Sequence, residues 1–153
     1  MGFFNKLKNM VTGGGATVKV EVEEAVFGAP FKVKVKAVVG ETDLEIAGVY
    51  LKVAGIERVT IKDVEVAPAG ESTPAVRRDV EASEYTFQTQ LSLAGAQKLV
   101  ARGGYDWETE VTLPPQSQPS YAGINATHEW KVLGGLSAPG NDPDSGWVAV
   151  RFS

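Results

Sequence analysis

Three oxygen-bearing side chains, Asn141, Asp142 and Asp144, fall within the segment PGNDPDSGW (139–147), just ahead of Gly146 and Trp147. Clustered carboxylate and amide oxygens are what a calcium ion asks for. An EF-hand loop places ligands at positions 1, 3 and 5, glycine at 6 and glutamate at 12, with a helix on each side. Counted from Asp142, position 3 is Asp144, but position 5 is Gly146, position 6 is Trp147 and position 12 is Ser153. The match ends after two residues. What remains is a run of turn formers, able to make Asx-type turns that reverse the chain into WVAVRF. A hairpin into a last strand is the main reading. A calcium-dependent module on Asn141, Asp142 and Asp144 is the alternative, and no cofactor is expected.

Other chemistry is sparse. His128 is the only histidine, and there is no cysteine, which excludes disulfides, thiolate zinc sites and cysteine nucleophiles. By strand parity His128 shares a face with Ile124, Ala126, Trp130 and Val132, the expected core face, so a satisfied histidine is the reading. No serine sits in a glycine elbow. Carboxylates pair as Glu23–Glu24, Asp106–Glu108 and Glu108–Glu110, but glycosidase chemistry needs a cleft and one carboxyl with a raised pKa. A solvated strand face accounts for these pairs. The chain is therefore expected not to be an enzyme. Arg77 and Arg78 are expected in a long loop. Lys32, Lys34 and Lys36 occupy alternate positions, where they would receive an acidic partner segment or blunt an exposed sheet edge.

Composition narrows the partners. The 153 residues carry 19 acidic and 15 basic side chains, a formal net charge of -4, without the positive field that phosphate backbones demand. Nucleic acid is not expected. No apolar run reaches the roughly 18 residues of a membrane span, and the cytoplasm is the expected compartment because nothing needs an oxidising one. At the start, Phe3, Phe4, Leu7, Met10 and Val11 follow helical spacing, with Lys6 and Lys8 opposite, until Gly13–Gly15 stop the pattern. Residues 1–15 read as an amphipathic helix and glycine linker. The segment packs on its own domain or docks on a partner, and Phe3, Phe4 and Leu7 are its contact candidates. Peripheral membrane contact is a further alternative. Lys6 stands where myristoylation wants Ser or Thr.

From residue 16 the period becomes two, the alternation of half-buried strands. ATVKVEVEEAV turns Val18, Val20, Val22 and Val26 to one side, and FKVKVKAVV turns Phe31, Val33, Val35, Ala37 and Val39 inward. A direct hairpin about Gly28 would put Glu23 opposite Lys34 and Glu21 opposite Lys36. Further strands read at 44–56, 58–67, 83–93, 104–113, 123–136 and 146–152, about eight in all. The breaks at 68–82 and 94–103 leave room for a helical turn. Residues 16–153 are expected to form a single two-sheet β-sandwich.

LPPQSQPSYAGINATHEWKV carries a resemblance in Leu113, Pro114, Pro119, Ser120, Tyr121, Gly123 and Trp130. A strand ending in Leu-Pro, a Pro/Ser connector, Pro-Ser-Tyr, glycine and an aromatic strand resembles the N-terminal domain of arrestin-like proteins. GFFNKL, TVKVEVEEAVFGAPFKVKVKAVV and LEIAGVYLKV are similar to the bacterial sporulation-control branch of that family. The resemblance implies an immunoglobulin-like sandwich and a non-catalytic scaffold that binds protein partners, possible self-association included, through an edge strand and loops. Two departures limit it. The family has two sandwiches in tandem, and this sequence ends where the second would begin. Gly28-Ala29-Pro30 stands where the family more often has Pro-Gly-Glu. The two-domain clamp and phosphate-sensing polar core do not carry over. On physical grounds Pro114, Pro115 and Pro119 hold the connector extended, so it reads as a strap between sheets.

Overall fold

Valine-rich alternation produces strands throughout the computed structural model, which describes residues 15–153. The expected N-terminal helix, with Phe3, Phe4 and Leu7, lies outside these residues. Ten strands follow in order: β1 Ala16–Val22, β2 Phe31–Val39, β3 Leu44–Ile46, β4 Gly48–Ala67, β5 Val76–Ala94, β6 Gln97–Leu99, β7 Gly104–Val111, β8 Tyr121–Ala122, β9 Ala126–Ser137 and β10 Val148–Ala149. One sheet has the order β1-β2-β7, a second runs β10-β9-β4-β5 with β8 also on β9, and β3 pairs β6. All pairings between named strands are antiparallel.

The core collects the apolar sides of the two larger sheets. Val18, Val33, Val35 and Ala37 join Val49, Leu51 and Val53 of β4 and Trp130, Val132 and Leu136 of β9 in one buried cluster. Burying each Val or Leu side chain contributes about 1.5–3 kcal/mol. The sheets approach closely at Gly134, where an added Cβ would lie 2.7 Å from Val35 Cγ2. On the opposite side of β9 the Tyr50 ring fills the space a side chain at Gly135 would need. This glycine pair thins β9 on both faces.

Several boundaries differ from the sequence reading. The expected strands 44–56 and 58–67 are instead a short β3 and one long β4. β4 passes Glu57 without a turn: its register with β9 is unbroken from Gly48 to Val59, and the bulge between Gly55 and Ile56 takes its extra residue, Thr86, from β5. The strand expected at 83 begins at Val76, which makes 68–75 a hairpin end, closed by Gly70 N–H donating to Thr73 O at 2.9 Å. Arg77 and Arg78 are consequently strand residues. No helical turn occupies 94–103; Gln97–Leu99 pairs with β3. The strand expected at 123 starts at Ala126, because Gly123 N–H reaches Ala126 O in a turn. Ile124 there is fully exposed and leaves the core face assigned to it.

The β1–β2 hairpin is direct but shifted by two residues: Glu21 faces Lys34 and Lys19 faces Lys36. Glu23 N–H still reaches Lys32 O at 3.0 Å, so the loop is wider than a tight turn about Gly28. Ala25, not Val26, turns inward, and Val26 is left 52% exposed.

Candidate functional site

The proline connector, 114–120, carries its contacts in its backbone. Gln118 O accepts from Trp130 Nε1–H at 2.7 Å, and Pro119 O faces His128 Nδ1 at 3.0 Å. A carbonyl only accepts, so in the neutral ring the proton is assigned to Nδ1, leaving Nε2 to accept from Thr86 Oγ1 at 2.6 Å. His128 is buried between the stacked Tyr121 ring and the edge of Trp130. Hydroxyl, imidazole and carbonyl stand in the order of a nucleophile and its base, but both ring nitrogens are spent joining β5 and the connector to β9. Tyr121 Oη donates to Glu57 at 2.6 Å, and that bond, ahead of any burial, holds its phenol above the ordinary range.

The acidic segment closes on itself. Asp144 Oδ1 accepts from Gly146 N–H at 2.8 Å, an Asx-type turn, and Asp142 Oδ1 reaches back to accept from Ala138 N–H at 3.1 Å, closing the loop. Asn141 is exposed at the tip. Pro143 is buried beneath, its carbonyl taking Leu136 N–H at 3.0 Å. The turn delivers β10 onto β9, with Val150 inward and Trp147 outward. Among the described residues, no group of three or more His, Asp or Glu side chains is placed to hold a metal ion. Asp144→Ala is expected to lower stability by about 1 kcal/mol through the lost turn bond, measured by urea unfolding.

Lys32, Lys34 and Lys36 stand opposite Glu110, Glu108 and Asp106 of β7. Diagonal ion pairs join Lys32 to Glu108 at 3.6 Å and Lys36 to Glu21 at 3.2 Å. Exposed pairs of this kind contribute about 0–1 kcal/mol each. Because β2 is paired on both sides, these lysines do not guard an edge, which corrects that reading. Any acidic partner would compete with carboxylates already opposite them.

Among the described residues the smaller sheet has its edges at β1 and β7, and the longest edge belongs to the larger sheet. β5 ends its sheet, and β9 leaves β4 after Val59. Past Thr60, whose N–H reaches Asn125 O at 2.7 Å, β4 and β5 continue as a two-stranded ribbon. Such a ribbon is marginal alone, and polar side chains lock this one. Arg77 Nε donates to Asp63 Oδ1 at 2.8 Å, Asp63 N–H to Asp79 Oδ1 at 3.0 Å, and Lys62 Nζ to Asp79 at 3.2 Å. Asp63 adopts φ 54°, a left-handed conformation that Asp tolerates at the adjoining bulge. Ile61, Val66, Val76 and Val80 remain exposed along the ribbon. Sequence reading missed this feature because 68–82 reads as loop; the alternation of Val76, Arg78 and Val80 was its one signal.

The Asp63 N–H bond, then Lys62, hold the Asp79 carboxyl below its usual 3.8. A depressed folded value means the stabilisation is present above the unfolded value and is lost as pH falls through the folded one. Acidification below about pH 3.8 is thus expected to lower the protection of the Asp63 amide, its exchange measured against the intrinsic rate at the same pH, before the core opens, as followed by hydrogen-exchange NMR.

The architecture is an all-β arrangement of facing sheets. Spo0M, the sporulation control protein of Bacillus subtilis, has a crystal structure that matches this chain with a TM-score of 0.58 at 16% identity, over 92% of this chain and 50% of that one. This chain spans about half the length of that structure, and the likeness shows a distant relation in fold. No protein-family model matches the chain, and no curated protein sequence matches it. Among the described residues no helix is long and apolar enough to cross a membrane.

Proposed function

We propose that the chain is a non-catalytic, arrestin-like scaffold, regulatory in the manner of the sporulation-control proteins, that binds protein partners in the cytoplasm. In this reading residues 16–153 are one immunoglobulin-like sandwich. The observation that carries it is the ribbon: β5 is an edge strand of 19 residues, and beyond Thr60 neither outer edge of the β4–β5 pair is paired with another strand among the described residues. Edge backbone groups supply affinity to an added strand, and alternate side chains supply selectivity. Ile61, Val66, Val76 and Val80 supply the apolar part. The resemblance in fold to Spo0M supports the regulatory assignment without naming a partner.

Shortening the ribbon tests this. In a variant whose residues 62–79 are replaced by an Asn-Gly turn, the body keeps its core, and the turn suits a hairpin of this twist. Photo-crosslinkers placed at Val66 and Val76 of the full chain are expected to capture a discrete partner in the native cell, and the shortened variant is expected not to co-purify with it. Retention of that partner by the shortened variant would contradict the reading.

A further inference from the structure

On the outer face of the five-stranded sheet, away from the core, a groove of about 460 Å³ is lined by Lys52, Gln88, Gln90, Tyr85 and Trp147 above Ala54. Its size falls within the range of sites that enclose ligands, and no carboxylate lines it. The register explains the gathering. Lys52 pairs with Gln90 and Ala54 with Gln88, and the bulge after Gly55 brings Tyr85 opposite Ile56. Trp147 arrives from the acidic turn. Tyr85 and Trp147 are each 42% exposed.

Two ammonium groups on this face have rings where a carboxylate would be expected. Lys131 is only 8% exposed, yet among the described residues its Nζ has no hydrogen bond or ion pair; it lies 4.5 Å from the Trp147 ring centroid and 5.5 Å from that of Tyr85. Lys52 Nζ sits 5.8 Å from the Tyr50 centroid. Ring quadrupoles attract a cation, but less strongly than a charge-assisted hydrogen bond does. Glu129, from the same strand as Lys131, is committed to Arg58 at 3.9 Å. On a chain of net charge -4, this face sets two ammonium groups beside two open aromatic rings, with Asp142 and Asp144 of the acidic turn near enough to help burial raise the Tyr50 phenol.

We propose that this groove docks an extended acidic peptide segment of a partner protein, with a carboxylate at Lys52, the buried Lys131 adding its charge from behind the rings, and an apolar side chain against Trp147 and Tyr85. Gln88 and Gln90, two residues apart on β5, repeat at the roughly 7 Å spacing of same-face positions in an extended peptide. Their amides both donate and accept, as a peptide backbone requires. Trp and Tyr are the residues on which interface affinity concentrates. The inference rests on the partner-binding reading and gives it a second contact, on the sheet face beside the β5 edge.

The test uses the full chain, isotope-labelled, titrated with a short glutamate-rich peptide carrying one central Phe. The Trp147 indole N–H is expected to shift on binding, and the response to weaken with added salt. Lys52→Glu and Trp147→Ala change surface side chains and are expected to bind about tenfold or more weakly, with the rest of the amide spectrum in place. The same peptide with lysine in place of glutamate is expected not to bind. An unshifted Trp147, equal binding of the lysine peptide, or full affinity in Lys52→Glu would overturn the proposal. A stronger response to a uronic-acid oligosaccharide would overturn the peptide assignment. An unshifted Trp147 together with intact ribbon crosslinks defeats this inference alone. Peptide binding at Trp147 without ribbon crosslinks defeats the ribbon reading alone.

Discussion

Replacing Trp130 with alanine is expected to destabilise the chain by about 3–5 kcal/mol, the range for truncating a buried aromatic residue. The ring is the largest fully buried side chain, packed 5.9 Å from Phe87 and 5.4 Å from His128, centroid to centroid. It also sits where an added Cβ at Gly55 would come within 3.0 Å of it. Truncation opens a cavity and orphans Gln118 O, which now takes the indole N–H at 2.7 Å. Trp130→Phe separates the two effects: it keeps much of the packing, loses the bond, and is expected to cost about 1–3 kcal/mol. Urea unfolding gives both values, and equal losses in the two variants would mean that the hydrogen bond to the connector dominates the packing.

Gly134→Val is expected to cost about 3 kcal/mol or more, at the upper end for overpacking. An added Cβ alone lies 2.7 Å from Val35 Cγ2, and both positions belong to strands held on each side by neighbours. Neither sheet yields without loss elsewhere in the core. Val35→Ala removes the opposing methyl groups and is destabilising by itself. In combination the two are expected to be less damaging than their sum by about 1–2 kcal/mol, the signature of residues that share one space. Simple additivity would show that the sheets do not meet at this point.

Alternation made β1, β2 and β7 legible, because their side chains divide between the core side and the solvent side. What alternation does not carry is any event that changes parity. The charged Glu57 and Arg58 in mid-strand and the left-handed Asp63 at the bulge after Ile61 interrupt the pattern of β4 and imitate turns, and the bulge opposite Gly55 changes the parity of β5 at Thr86. That is why one long strand reads as two, and why the ribbon reads as loop. Strand order is equally silent in local sequence: Lys32, Lys34 and Lys36 look like an edge until β7 sets carboxylates beside them. The outer-face groove depends on both kinds of hidden information. Lys131, Tyr85 and Trp147 come from three separated stretches and meet only through register. The Gly134-Gly135 pair was the available hint of close approach, since glycine inside a strand marks a place where another group comes near.

The acidic segment that looked most like a calcium loop uses its carboxylates to build a turn. That turn in turn places Trp147. On the reading proposed above the chain acts through surfaces: a strand edge, exposed aliphatic side chains and ammonium groups set against aromatic rings.

Hydrogen exchange of the full chain, alone and in complex with its crosslinked native partner, tests the central claim most directly. The account predicts slower exchange in the complex along Ile61–Val80 and the outer edge of β5, with β1 and β2 unchanged. Protection confined to β1, β2 and β7, with the ribbon exchanging as freely as in the chain alone, would contradict it.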